Sequence, residues 1–144
     1  MRGGEGRGEG MGHPYPDFAE CMRMMRRHDP QTREDGYHAL LPHARAHVPE
    51  LLAAFQAEED HGLRCWLFEL LGEAREPDLL PLFADALRGD DPALWGRALR
   101  ALQDLGTKEA RRLLFEARSY TFPTEEQTHL FRAEVDRIIP RNKP

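Results

Sequence analysis

A chain of 144 residues, 31% charged and 40% hydrophobic, has a single-domain length and can bury a core without metal or disulfide. Its net charge of −5 weighs against nucleic acid or an anionic membrane as the principal partner. No apolar run approaches the roughly 20 residues of a membrane span and no signal peptide is expected ahead of the domain; Cys21 and Cys65 lack metal-type spacing, so they are expected to be buried, reduced thiols of a bacterial cytoplasmic protein.

Residues 1–14 hold six glycines and almost nothing to bury. Such a segment does not offset its ordering entropy and is expected to be disordered, with Met11 as a second candidate initiator. Residues 15–140 form the expected folded domain, and 141–144 a short tail. Phe18, Cys21, Met22 and Met25 fall at i, i+3, i+4 and i+7, which predicts a helix over 17–27. His28-Asp29-Pro30 ends it and starts the next over 30–41, with Asp29 as cap and Pro30 at the first position. Pro42 and Pro49 bracket a short connector. Further helices are expected over 48–58, 61–74, 77–88, 92–105, 107–119 and 123–138, with Gly72, Gly89 and Gly106 near their ends or turns. The last carries the stripe Leu130, Phe131, Val135, Ile138 and Ile139, and Pro140 stops it. No sustained alternation predicts a strand.

One pattern recurs at 31 residues. Asp60-His61-Gly62-Leu63-Arg64 opens one copy and Asp91-Pro92-Ala93-Leu94-Trp95 the next. Leu67, Leu70 and Leu71 fall on Ala98, Ala101 and Leu102, and Leu79, Leu82 and Phe83 on Ala110, Leu113 and Leu114. Stepping back finds Asp29-Pro30-Gln31-Thr32-Arg33. Asp29, Asp60 and Asp91 are thus the expected helix caps, and a fixed period of this length marks stacked repeats.

The run Leu63-Arg64, Leu67, Leu70-Leu71-Gly72, Pro77-Asp78-Leu79-Leu80-Pro81-Leu82-Phe83 resembles the short bacterial HEAT repeat, also seen in phycobilisome-lyase-type HEAT-like proteins. Leu94, Ala98, Ala101-Leu102, Gly106, Ala110 and Leu113-Leu114 match it as well. The resemblance implies an all-α superhelix, an armadillo-like α-solenoid of about four helix pairs, in which second helices line the concave side. It implies an interaction scaffold more than an enzyme. It also implies a ladder of Asp and Arg at four-residue spacing, Asp29 with Arg33 and Asp60 with Arg64, in which an arginine bonds the aspartate of a neighbouring repeat; Trp95 replaces the arginine in the third copy.

Taking Leu63 as zero and advancing about 100° per residue, the row Arg33, Arg64, Trp95 lies at the edge of the apolar stripe. The row Tyr37, Phe68, Leu99 comes next, then His38, Glu69, Arg100. Arginine and aromatic residues are enriched at binding hot spots, so Arg33, Tyr37, Arg64, Phe68, Trp95, Leu99 and Arg100 are the expected partner-binding set. The competing reading of Phe68 and Leu99 is packing between neighbouring repeats. Trp66, on the opposite flank, is expected in the core.

Catalytic and cofactor chemistry finds little footing. His43 and His47 are four apart, but Pro42 and Pro49 argue against one helix there, and no carboxylate completes a zinc motif. The other histidines lack a paired cysteine or carboxylate cluster. Ser119 is the only serine and has no glycine elbow. The glycine-rich head carries no lysine and follows no strand. The expectation is a monomeric, non-enzymatic protein without metal or cofactor that binds another protein on its concave face, as an adaptor or an inhibitor such as an immunity protein. The alternative is a nucleic-acid-binding relative of alkyl-base DNA glycosylases, with Arg33, Arg64, Arg97, Arg100, Arg111, Arg112 and Arg132 gripping phosphates; Glu69, Glu73 and Asp104 interrupt that set. A chromophore-handling role has no specific residue behind it.

Overall fold

A computed structural model describes residues 15–140; the expectations for 1–14 and 141–144 lie outside the described residues. Within them the chain is all-helical, without strands. It divides into two compact units, one ending at His43 and one beginning at Ala44.

The first unit pairs α1 (Phe18–Met25) with α2 (Pro30–Leu40). Asp17 caps α1 by accepting the Glu20 N–H at 2.8 Å. Asp29 caps α2 twice over, accepting from the Thr32 N–H at 3.0 Å and the Thr32 hydroxyl at 2.7 Å. That double bond holds the Asp29 carboxyl below its ordinary pKa, the hydroxyl contributing most. The two helices close on each other because position 36 is glycine. A Cβ there would stand 2.7 Å from Met24 Cβ and 2.8 Å from the Cys21 carbonyl oxygen. Cys21, Met25, Tyr37 and Leu40 are buried, and burial, aided by Asp17 and Glu20, pushes the Cys21 thiol pKa up.

A 3₁₀ stretch, Leu41–His47, occupies the expected connector. No single α-helix runs through it, as Pro42 and Pro49 imply; each proline sits at the beginning of its helical stretch, where a missing N–H costs little.

The second unit contains α3 (Val48–Ala57), α4 (His61–Glu73), α5 (Leu80–Arg88), α6 (Pro92–Leu105), α7 (Lys108–Ala117) and α8 (Glu125–Ile138). The expected segment 77–88 opens as a 3₁₀ turn, Pro77–Leu79, before α5 begins. Asp60 caps α4 through the Leu63 N–H at 2.9 Å, and Asp91 caps α6 through the Ala93 N–H at 3.1 Å. α6 ends on Gly106 at φ 64°, the left-handed region that favours glycine. Thr124 and Gln127 form a reciprocal capping box at the start of α8.

α6 is the hub, packing against α4, α5, α7 and α8, while α3 packs on α4. Two aromatic clusters fill the space between these helices. Phe68 meets Phe55 and Phe83 at centroid distances of 5.4 and 5.6 Å. Trp95 meets Phe122 and Phe131, both at 5.1 Å, and Tyr120 stacks on Phe131. Leu130, expected in the apolar stripe of α8, is instead 50% exposed, and Phe115 on α7 is 76% exposed.

Candidate functional site

The expected hot-spot rows divide by burial. Phe68, Trp95 and Leu99 are at most 2% exposed, and Tyr37 in the first unit is also buried. These four are core residues, a correction to their expected place on a binding surface. Trp95 turns its ring inward and donates its Nε1–H to the Gly89 carbonyl oxygen at 3.1 Å. Arg64 is half-buried, its guanidinium 4.1 Å from the centroid of the Phe55 ring. Arg33, in the first unit, and Arg100 are exposed. Trp66, expected in the core, is only half-buried.

The cause is the width of the buried arc. On both α4 and α6 the buried positions run from Leu70 or Ala101 around to Cys65 or Gly96, roughly 220° at about 100° per residue. A helix with neighbours on several sides buries far more than one stripe, and positions 68 and 99 fall well inside it. The arc left open carries Trp66, Glu69 and Glu73 on α4 and Arg97, Arg100 and Asp104 on α6. Each set is spaced i, i+3, i+7, so each lies along one face.

On that side lies a cavity of about 250 Å³. Gly72, Ala93, Gly96 and Ala101 are its small lining residues; Glu69, Glu73, Arg97, Arg100, Asp104, Glu134 and Arg137 supply its charge from α4, α6 and α8. Arg97 donates through Nε to Glu69 at 3.2 Å, bridging α6 to α4, and through a terminal N–H to the Ala93 carbonyl oxygen at 2.7 Å. On α8, Arg137 donates to both Glu134 carboxylate oxygens, at 3.1 and 2.5 Å. This pairing raises the Arg137 pKa further. Gly96 leaves room for it: a Cβ there would push the Glu134 carboxylate aside. Of the expected partner-binding residues, Arg100 alone lines this groove.

A second constellation was hidden by sequence distance. His61 Nε2 lies 3.1 and 3.2 Å from the two Asp91 carboxylate oxygens and 3.8 Å from Cys65 Sγ. The periodic pattern did not bring this one aspartate and one cysteine together at His61. Carboxylate and thiol meet at the same ring nitrogen, whereas a nucleophilic relay uses one nitrogen for the thiol and the other for the acid. Burial also pushes the Cys65 thiol pKa up, away from an activated thiolate. The arrangement fits a clamp between the first turn of α4 and the cap of α6. Such cross-repeat bonds fall to His61–Asp91 and Glu69–Arg97, while Arg64 stacks on a ring. Among the described residues no group of three His, Cys, Asp or Glu is arranged to hold a metal ion, and no helix is long and apolar enough to cross a membrane.

The signal for the groove was available. Glu69 and Arg100, and Glu73 and Asp104, are 31 residues apart, so the period that organises the apolar positions also registers the polar ones. The α8 contribution, Glu134 and Arg137, has no such marker, because the last pair departs from the pattern. No protein-family model, no curated protein and no solved structure matches this chain.

Proposed function

We propose that this chain is a non-enzymatic scaffold, a small HEAT-like superhelix that carries a protein partner across the face formed by α4, α6 and α8. The 31-residue period and the packing of α4 on α6 and of α6 on α8 support the HEAT-like reading. The observation that carries the binding role is the groove itself, where three helices in mutual support present small residues between charged side chains. Such a face is held by the packing beneath it, so little order remains to be lost when a partner binds.

Of the two partner classes the sequence suggests, the groove supports protein. Gripping phosphates takes several unopposed cations, and of the three arginines in this lining Arg97 and Arg137 are engaged by Glu69 and Glu134, leaving Arg100 among Glu73 and Asp104. The test is capture of partners by the tagged full chain, compared between wild type, Ala93→Trp and Asp85→Trp. Ala93 is a lining residue of the groove, and Asp85 is exposed on α5. The reading expects Ala93→Trp to lose the captured protein and Asp85→Trp to keep it, with equal helical circular dichroism. Equal capture by both variants contradicts it.

A further inference from the structure

We infer that the groove takes a basic side chain, an arginine or lysine offered by the partner protein. This rests on reading the face as a protein-docking surface and names what it recognises.

Size comes first. About 250 Å³ falls below the roughly 300–1,000 Å³ of pockets that enclose a small-molecule ligand, and suits one long side chain. Gly72, Gly96 and Ala101 let that side chain approach the helix backbones closely.

Charge decides which side chain. Two of the ion pairs in the lining are already closed, Glu69 with Arg97 and Glu134 with Arg137. Glu73, Asp104 and Arg100 remain. Glu73 is the last residue of α4, and Asp104 stands one residue before the end of α6. A helix C-terminus carries partial negative charge and favours a cation in its last turn. α1, α2, α5 and α8 each place a basic residue there, Arg23, His38, Arg88 and Arg137. α3, α4 and α6 have none; α3 ends beside Glu58, which accepts the Asp60 N–H at 2.9 Å, while α4 and α6 carry a carboxylate within the last turn. α7 also ends near an acid, Glu116, but Arg112 donates to it at 3.0 Å. Only on α4 and α6 do such acids stand at equivalent places in the repeat and line one cavity, and a break of local rules shared in this way points to a functional demand. Arg100, one turn before Asp104, offsets at most one of the two charges. An incoming guanidinium or ammonium answers both carboxylates and both helix ends together.

The experiment is amide-resolved NMR of the full chain, titrated with two capped pentapeptides of alanine bearing a central arginine or a central glutamate. The arginine peptide should shift the amides of Gly72, Glu73, Gly96 and Asp104 with millimolar affinity. That affinity should fall at least about fivefold when salt rises from about 20 mM to about 300 mM, because the contact is exposed and ionic. Glu73→Gln with Asp104→Asn should weaken it similarly, in a protein whose spectrum remains that of the folded chain. Shifts produced by the glutamate peptide instead would overturn the inference while leaving the docking face standing. Silence from both peptides, with Ala93→Trp still blocking capture, would remove the basic-side-chain inference alone. Silence together with capture indifferent to Ala93→Trp would remove both readings.

Discussion

Trp95 donates its indole N–H to the carbonyl oxygen of Gly89, 3.1 Å away and six residues back in the chain. The bond satisfies the one polar atom of the indole, so the ring can sit between Phe122 and Phe131 at 2% exposure. A tryptophan buried this way anchors the turn between α5 and α6 to Phe122 ahead of α8 and to Phe131 midway along it.

Trp95→Ala should therefore destabilise the protein by about 3–5 kcal/mol, the usual cost of emptying a large aromatic site. Arg64→Ala removes only a half-exposed guanidinium from the Phe55 ring and should cost about 1 kcal/mol or less. Urea unfolding followed by circular dichroism measures both; equal small losses would contradict the burial of Trp95.

The helix pattern was legible because it is written in local terms. Aspartate before a helix, proline at its first position and apolar residues at 3.6-residue spacing mark ends and faces without reference to the rest of the chain. The width of the buried arc is not local. It depends on how many helices surround α4 and α6, and this moved Phe68, Leu99 and Trp95 into the core and Trp66 to its margin. The groove was half-legible: the period registers Glu69 with Arg100 and Glu73 with Asp104, but nothing in the last segment announces Glu134 and Arg137. The His61–Asp91 contact joins two copies of the repeat through residues that are not equivalent in it, so the period could not reveal it.

Gly36→Ala should destabilise the first unit although alanine is the better helix former by about 1 kcal/mol. The new Cβ meets a backbone oxygen of α1 at 2.8 Å, and forcing two packed helices apart typically costs about 1–3 kcal/mol. Amide hydrogen exchange in α1 and α2 reads the change; slower exchange in the variant would refute the close approach.

Cys21 and Cys65 should react slowly with a disulfide reagent at mildly alkaline pH, since burial holds both thiols above their ordinary pKa. Folding favours the protonated thiol in each. The associated stability is complete below the unfolded value of about 8.5 and is lost as pH rises through the higher folded value. Labelling that tracks the fraction unfolded across a urea series supports this; rapid labelling of the native protein counts against it.

The Asp29 carboxyl behaves in the opposite sense. Its folded pKa is depressed by Thr32, so its contribution is present above the unfolded value of about 3.9 and disappears as pH falls through the folded one. Asp29→Asn should lower stability near neutrality, and the gap from wild type should close in acid. A gap that persists at the lowest pH reached would show that the carboxylate charge plays no part.

The central claim is that the face of α4, α6 and α8 holds a protein. Its most direct measurement is photo-crosslinking in living cells with a benzophenone amino acid placed at position 100 or at position 85. Position 100 should give a discrete adduct that is absent from position 85 and is lost when Ala93→Trp fills the groove. An adduct formed equally at both positions, or one untouched by the filled groove, would contradict it.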